Sequence, residues 1–556
     1  MSGFPAFLFL IRHALATRSR WQPQAAGHPA RRPAISGCGA GLLACALLAS
    51  GIAVAGGTLN RSSSAEPNSL DPAIATGNTA SYILYDLFMG LTTYDANGKI
   101  IPGAAESWQI SPDGLTYTFK LRDGLKWSDG SPLTSQDFLY SARRVVTPET
   151  SSRFASFFFP VKNARRIVKG ELPPEKLGVE APDARTVIYR LESPTPYFLQ
   201  NLASNVASPV PAKLVESLGR QWTRPGKMVS NGPFMLSEWV PNDHVTIVRN
   251  PHFFDAGAVR LDKVNWYPSG NQDTSLKRFL AGEIDILLNF PNEQLASLRE
   301  SIPGEVKIWP GLLLGYVLLN NNWPPFSDPR VRRALSLALD RDGIVKKIVT
   351  PGSPPAYGMT PPAIEDYRHP LPDYAKTPQA QRVAEARRLL AEAGFGPDKP
   401  LAFDLVYNTL EENRRLAVAM AAMWQAIGVR ASPLNRDLIA LNKSARTRDF
   451  QALLYTWFAT NDDPYSFLGL LETGNPSNYS GYSNPAYDAM LAAANALNDP
   501  AKRFAQLSEA EAVMLADQPV IPVFFYVRRF LVKPYVKGFT ENPRGLNLSR
   551  WLDVQK

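Results

Sequence analysis

Few of the side chains that usually carry out chemistry occur beyond residue 55. Both cysteines, Cys38 and Cys45, lie before that point, so the rest of the chain has no thiol for a disulfide, a metal ligand or a nucleophile. Of the five histidines, only His244, His252 and His369 lie beyond it. Their spacing matches no HExxH or similar metal-binding pair, so the sequence predicts no metal site.

The motifs that position phosphates or an activated serine are also missing beyond residue 55. The sequence contains no G-x-G-x-x-G, no G-x-x-x-x-G-K-[ST] and no G-x-S-x-G there, which argues against nucleotide binding and against a serine hydrolase. Pairs of acidic residues could act in acid–base catalysis, but a chain with 50 of them offers many such pairs on its solvated surface. An enzyme is therefore a poor fit, and we predict no catalytic residues and no cofactor.

The charge of the chain does not indicate a nucleic-acid partner. The formal charge is +9, and residues 1–55 contribute five arginines and no acid. The remaining 54 basic and 50 acidic residues give +4 over about 500 residues, which is too weak for an electrostatic footprint on nucleic acid. Hydrophobic residues make up 45% and charged residues 20%, as in ordinary globular proteins, and the length predicts more than two domains.

The first 55 residues resemble an export signal. Arg31 and Arg32 precede an apolar run over 41–55, which ends in an Ala-Val-Ala cleavage motif at 53–55. A membrane anchor is the alternative, but the run is shorter than the ~20 residues of a spanning helix. A lipoprotein site at Cys45 and a twin-arginine signal are further alternatives. The sequence predicts cleavage near Ala55 and a periplasmic location.

Residues 100–210 show a mixed β and α pattern. Apolar and polar residues alternate over 115–121, which predicts a half-buried strand. Thr134 and Asp137 have the spacing of a helix N-cap, with the acid near the positive end of the helix.

Residues 327–460 alternate between helix and strand. Asp328 followed by Pro329 predicts a helix start, a second helix ends at Gly394, and a third runs over 411–427 and ends at Gly428. Strand patterns cover 401–407, 429–434 and 450–457, with a short helix between the last two. This alternation predicts an α/β domain whose helices cover a sheet. No low-complexity linker is visible, so we expect short crossovers between domains.

Seven further segments occur in a characteristic order. They are NSLDP (68–72), AESW (105–108), LRDGLKWSDG (121–130), VSNGPF (229–234), FSDPRVRRAL (326–335), PAYG to TPP (355–362) and LVKP (531–534). Together they resemble the oligopeptide-binding proteins of ABC importers, the family-5 extracytoplasmic solute-binding proteins. The resemblance extends from about residue 58 to the C-terminus.

The resemblance implies a mixed α/β fold with two lobes, three domains and a ligand cleft between the lobes. Domain I would comprise 56–89, 212–313 and 528–556, domain II 90–211, and domain III 314–527. The chain would pass between lobes near 313 and near 527. Two such crossings form a hinge.

In this family an extended peptide pairs by main-chain hydrogen bonds with segments that line the cleft. The resemblance implies ligand contacts at Thr76, Gly77, Asn78, Phe154, Asn408, Asn413, Leu438, Thr456, Trp457, Phe458, Thr460 and Tyr526. Without the resemblance, core packing is the simpler interpretation of the aromatic residues in this set, and a turn is the simpler interpretation of Asn408.

Several positions depart from the family pattern. The aspartate that takes a peptide ammonium is replaced by Thr460, and the cations that receive a peptide carboxylate are replaced by Thr350, Asn413 and Leu454. A second cleft tryptophan is replaced by Leu438. We therefore expect weak dependence of binding on the free ends of a peptide.

Asp462 is the nearest carboxylate that could replace the missing aspartate. In an extended strand it would lie on the same face as Thr460, about 7 Å further on. Alternatively, Asp462 is a surface residue of a turn formed by the Asn-Asp-Asp-Pro stretch at 461–464.

These observations predict a monomeric receptor that passes peptides or peptide-like solutes to an inner-membrane ABC permease with cytoplasmic ATPase subunits. Three alternatives stay open: a receptor for an end-blocked or non-peptide solute, a sensory or chaperone protein that uses the same cleft, and, as the poorest fit, a hydrolase.

Overall fold

The computed structural model describes residues 56–459 and 461–556. The export signal, the cleavage motif at 53–55, Cys45 and Thr460 lie outside the described residues. No helix of the described part is both long enough and apolar enough to cross a membrane.

The strands of the described residues are β1 (Thr58–Ser63), β2 (Thr92–Tyr94), β3 (Ile100–Pro102), β4 (Ala105–Ile110), β5 (Thr116–Leu121), β6 (Val179–Asp183), β7 (Thr186–Arg190), β8 (Phe234–Val240), β9 (His244–Arg249), β10 (Lys263–Pro268), β11 (Ile286–Leu288), β12 (Val306–Leu319), β13 (Ala402–Tyr407), β14 (Arg430–Asn435), β15 (Ala452–Phe458), β16 (Val520–Val532), β17 (Val536–Lys537) and β18 (Asp553–Val554).

The α-helices are α1 (Asn78–Leu87), α2 (Ser135–Val146), α3 (Ala164–Val168), α4 (Phe198–Ala203), α5 (Ala212–Leu218), α6 (Gln272–Leu280), α7 (Leu295–Ser301), α8 (Pro324–Ser327), α9 (Pro329–Ala338), α10 (Arg341–Lys347), α11 (Gln379–Glu392), α12 (Glu411–Gln425), α13 (Leu438–Thr447), α14 (Tyr465–Leu468), α15 (Pro485–Asn495) and α16 (Pro500–Asp517).

One mixed sheet of ten strands connects most of the molecule, in the order β14-β13-β15-β12-β16-β11-β1-β10-β9-β8. At one end β13 runs parallel to β14 and β15, and towards the other end β1 runs parallel to β10. The central strand β12 is antiparallel to both β15 and β16. A separate antiparallel sheet, β4-β5-β7-β6, lies within residues 90–211.

The predicted crossing points near 313 and 527 lie inside β12 and β16, which are 14 and 13 residues long. The chain therefore passes both points within paired strands. A register shift between Pro310 and Leu314 interrupts the β12–β16 ladder at this place. Such a bulge leaves residues out of the ladder and bends a strand.

The sheet of residues 314–527 is covered on both faces, because side chains alternate across each strand. Val317 and Leu319 pack with α9, α11 and α12, whereas Tyr316 and Leu318 pack in a second core with α13, α15 and α16. This confirms the predicted α/β arrangement of this part of the chain.

The predicted helix and strand signals are confirmed at residue level. The Thr134 side chain accepts from the N3 backbone while the Asp137 carboxylate accepts from the Thr134 backbone N–H at 2.8 Å, which is a capping box. The Asp328 carboxylate accepts from the backbone N–H of Arg330 at the start of α9. Gly394 has φ +83°, a left-handed conformation that ends α11 and suits glycine.

Candidate ligand-binding site

A cavity of about 180 Å³ lies between segments that are far apart in the sequence. Six aromatic side chains supply most of its apolar wall: Tyr82, Tyr85, Tyr94, Phe154, Phe157 and Phe458. Amide, hydroxyl and guanidinium groups supply the polar part, from Asn78, Ser81, Gln200, Ser204, Asn205, Asn461 and Arg544. An apolar cavity with a few convergent polar groups is the usual form of a small-molecule binding site.

Helix α1 presents one face to this cavity. Asn78, Ser81, Tyr82 and Tyr85 follow each other at the i, i+3, i+4, i+7 spacing of a single helix face. Tyr82 also stacks on Trp266, with ring centroids 6.1 Å apart. Packing against the large sheet thus fixes the aromatic wall.

Strand β15 presents alternate residues to the same region. Phe458 lines the cavity with 39% of its surface exposed, and Thr456 is exposed on the same face two residues earlier. Trp457 lies on the opposite face, packs against the core with α15 and α16, and donates its indole N–H to the carbonyl of Ser466 at 2.9 Å. The strand period of two therefore separates Trp457 from the cavity.

Asp462 is held by an ion pair. Its carboxylate lies 2.6 Å from Nη2 of Arg544, which also donates to the side-chain oxygen of Gln200 at 2.7 Å. The Arg544 guanidinium stacks over the Tyr94 ring at 4.4 Å. Burial raises the pKa of the Asp462 carboxyl, and Arg544 acts in the opposite direction. This carboxylate is thus already engaged by an arginine.

The loop after β15 also contacts residues 195–205. The Asn461 side chain donates to Asn201 at 2.9 Å, and Tyr197 stacks on Tyr465 with centroids 5.6 Å apart. Together with the Asp462–Arg544 pair, these contacts hold the loop against two other parts of the chain and close one side of the cavity.

A polar cluster lies at the first turn of α12. The Thr350 hydroxyl donates to the Glu412 carboxylate at 3.3 Å, and the Tyr526 hydroxyl bonds the side chains of Glu412 and Thr456. Burial is the largest cause of the raised pKa of Glu412. This cluster therefore carries a largely buried carboxylate, linked through Tyr526 to Thr456 of β15.

The structure brings only part of the predicted residue set together. The cavity is lined by Gly77, Asn78, Phe154 and Phe458. The polar cluster and its neighbours include Asn408, Asn413, Thr456 and Tyr526, with Asn413 donating to Asn408 at 2.7 Å.

Three further members of the set, Thr76, Leu438 and Trp457, do not line the cavity, and neither does Leu454, one of the positions that depart from the family pattern. Thr76 directly precedes the cavity residue Gly77, and its backbone N–H donates to the Asn68 side chain. Leu438 is 57% exposed at the start of α13, and Leu454 is buried in the core. Trp457 lies behind the strand face, as described above.

Sequence reasoning missed several cavity residues. Tyr82 and Tyr85 could have been found, because their helical spacing from Asn78 is visible in the sequence. Arg544 lies in a loop near the C-terminus and gives no comparable signal, since only the tertiary fold brings it to Asp462.

Within residues 56–459 and 461–556, no three His, Cys, Asp or Glu side chains come together in a metal-binding group. The cavity offers aromatic surface and a few polar contacts, which suits binding.

Comparison with known proteins identifies the class. Residues 99–479 match the family described as bacterial extracellular solute-binding proteins, family 5 Middle, and the chain belongs to this family. It has the mixed α/β, two-lobed fold of the periplasmic binding proteins that it matches in structure.

Three relatives illustrate the range of the family. The periplasmic oligopeptide-binding protein OppA of Salmonella typhimurium is 38% identical over 87% of this chain and 90% of its own length. The Escherichia coli protein named "Probable deoxycholate-binding periplasmic protein YgiS" is 36% identical over 88% and 92%. The structure of Haemophilus influenzae OppA in complex with the peptide RPPGFSPFR matches with a TM-score of 0.76 and 34% identity, covering 90% of this chain and 99% of that one. The first two are named as binding proteins, and the third structure contains a bound peptide.

Proposed function

We propose that this chain is the periplasmic substrate-binding receptor of an ABC importer and captures peptides or peptide-like solutes in the aromatic cavity. One observation carries the proposal. The cavity is bounded by residues from each of the three domains that the resemblance implies: Asn78 and Arg544 from domain I, Phe154 from domain II and Phe458 from domain III. A site built in this way forms only when the domains approach each other.

The same arrangement supports a hinge mechanism. The bulged pair of β12 and β16 would bend, and closure would bring the loop at 461–465 against residues 197–201. Ligand favours the closed form to the extent that it binds that form more tightly. The closed surface would then be recognised by a membrane permease with its ATPase subunits.

Main-chain pairing would supply much of the affinity. The residues at 76–78 and 456–460 are the proposed pairing segments. Among the described residues β15 pairs with β13 only at Ala452 and Leu453, and the unpaired edge beyond them supports this proposal. The far end of a longer ligand would contact Asn408, Asn413 and Tyr526. Leu438 would lie at the periphery of the ligand, and Trp457 would support β15 from its opposite face. Before export the chain would carry the signal over residues 1–55.

Peptide binding is tested by native mass spectrometry of protein purified without denaturation, followed by calorimetry with a panel of tri- to pentapeptides on ligand-stripped protein. We expect a co-purifying peptide mass, micromolar or tighter binding, and a smaller radius of gyration with ligand. Absence of binding by every peptide in the panel, together with an unchanged scattering profile, would refute the peptide receptor.

A receptor for a non-peptide solute is the second candidate. The six aromatic wall residues favour it, since they provide apolar surface without dedicated pockets for peptide ends. The same mass spectrometry distinguishes the two candidates, because a co-purifying compound that contains no amino acids would support the second one.

A further inference from the structure

Strand β16 carries a buried guanidinium that lacks polar partners. Arg528 is 9% exposed, and neither its Nε nor its Nη2 has a hydrogen-bond partner. No ion pair involves Arg528 within residues 56–459 and 461–556. The Tyr82 phenol is the ionisable group with an electrostatic effect on its pKa, which it raises. Other buried arginines differ: Arg332 donates to backbone carbonyls, and Arg503 pairs with Asp463.

Such an arrangement is costly in the absence of ligand. A buried charge is stable only when hydrogen bonds or an opposite charge replace the water that it has lost. Burial lowers the pKa of Arg528, which shows the same penalty on its charged form. A partner that arrives from outside the chain would remove this penalty.

The guanidinium lies against the wall of the cavity. Its central carbon is 5.0 Å from the centroid of the Phe458 ring, and both Phe458 and Tyr82 line the cavity. On the other side it approaches Gly545, whose neighbours Arg544 and Leu546 also line the cavity. Arg528 is not itself a lining residue; it lies directly behind lining residues that a ligand would contact.

Two glycines leave room for this side chain. A Cβ at Gly545 would lie 3.0 Å from Nε of Arg528, and a Cβ at Gly311 would lie 3.2 Å from the same atom. Gly311 belongs to the bulge between Pro310 and Leu314. The guanidinium thus occupies a space that any larger residue at either position would narrow.

We propose that Arg528 receives a carboxylate of the ligand, which makes the ligand an acid with an apolar or aromatic body. This inference rests on the proposed function, because it names the chemistry of the solute bound in that cavity. A planar guanidinium matches a carboxylate through two parallel N–H···O bonds. The carboxylate belongs either to a peptide C-terminus or to another organic acid. In the first case binding depends on the free C-terminus, contrary to the expectation drawn from Thr350, Asn413 and Leu454.

The adjacent Arg529 provides a matched control. It is 8% exposed on the same strand, but it donates to the Asn292 side chain and lies over the Phe290 ring at 5.0 Å. Its partners Asn292 and Phe290 do not line the cavity, whereas Phe458, the aromatic partner of Arg528, does.

The first experiment compares the unfolding temperature of ligand-free Arg528→Met and Arg529→Met with that of the wild type. We expect Arg528→Met to unfold at a higher temperature, because it removes an uncompensated buried charge, and Arg529→Met to unfold at a lower one. If Arg528→Met lowers the temperature as much as Arg529→Met does, Arg528 has a structural role and the proposal is overturned. If the methionine variant does not fold, Arg528→Gln is compared with Arg529→Gln in the same way.

The second experiment measures binding of two probe pairs by calorimetry: benzoate against benzamide, and an N-acetyl tripeptide acid against its C-terminal amide. We expect the wild type and Arg529→Met to prefer each acid at least tenfold, and Arg528→Met to lose that preference. Equal binding of acid and amide by the wild type, or no binding of either acid, overturns the role of Arg528. If the wild type prefers benzoate over benzamide but binds neither peptide form, the role of Arg528 is supported and the proposed peptide-receptor function is contradicted.

Discussion

The Asp462–Arg544 ion pair offers a direct test of closure. Asp462 belongs to the predicted domain III, whereas Arg544 and Gln200 belong to domains I and II. Asp462→Asn keeps a side-chain oxygen near Arg544 but removes the charge. We expect weaker ligand binding, because the closed form loses a contact that the open form does not make.

The magnitude follows from the burial of the pair. The Arg544 and Asp462 side chains are 4% and 30% exposed, with 2.6 Å between Nη2 and the carboxylate oxygen. Breaking a fully buried pair costs about 2–5 kcal/mol, and an exposed one about 0.2–1 kcal/mol. A partly exposed pair should therefore contribute about 1.5 kcal/mol, which corresponds to roughly tenfold in Kd.

Calorimetry with the best-binding ligand and small-angle scattering at saturation form the assay. Glu180→Gln is the control, because Glu180 and Arg190 form a 2.7 Å pair of two half-exposed side chains within one small sheet. The reasoning is refuted if folded Asp462→Asn binds ligand within twofold of the wild type, or if Glu180→Gln weakens binding equally.

Three further outcomes are expected. Phe458→Ala should weaken binding about tenfold, with a loss of folding stability near 1 kcal/mol. Trp457→Ala should lower the folding stability by about 2–3 kcal/mol and leave the affinity of the folded fraction nearly unchanged. If denaturant melts and calorimetry give the reverse pattern, the binding site lies on the other face of β15. Burial raises the pKa of Asp86 to about 6, so the folded state binds this proton more tightly than the unfolded state. The free energy of unfolding should therefore rise on the order of 2 kcal/mol as pH falls from about 7 to 4, relative to Asp86→Asn, and parallel pH profiles of the two proteins would contradict this. The intact mass of exported protein should correspond to a chain that begins near Gly56 without lipid, and a diacylglyceryl-modified Cys45 at the N-terminus would show that the cleavage assignment is wrong.

Local patterns were sufficient for most of the elements. The capping residues Thr134 and Asp328, the terminating Gly394 and the alternation over 115–121 each depend on neighbours within one turn or one strand. Such signals are readable because hydrogen-bond and side-chain periodicity act over a few residues. The ordered segments from 68 to 534 indicated the family in the same way, before any geometry was known.

The sequence by itself thus determined the family and the element pattern, whereas the lack of ionic partners for peptide ends at Thr350, Leu454 and Thr460 stays a prediction. Only the tertiary structure decided that Trp457 faces the core while Phe458 faces the cavity, that Asp462 is held by Arg544, and that Arg528 lies beside the aromatic wall without polar partners. The physical reason is sequence distance. These relations depend on which face of a strand meets which loop, and Asp462 and Arg544 are 82 residues apart, beyond the reach of any local pattern.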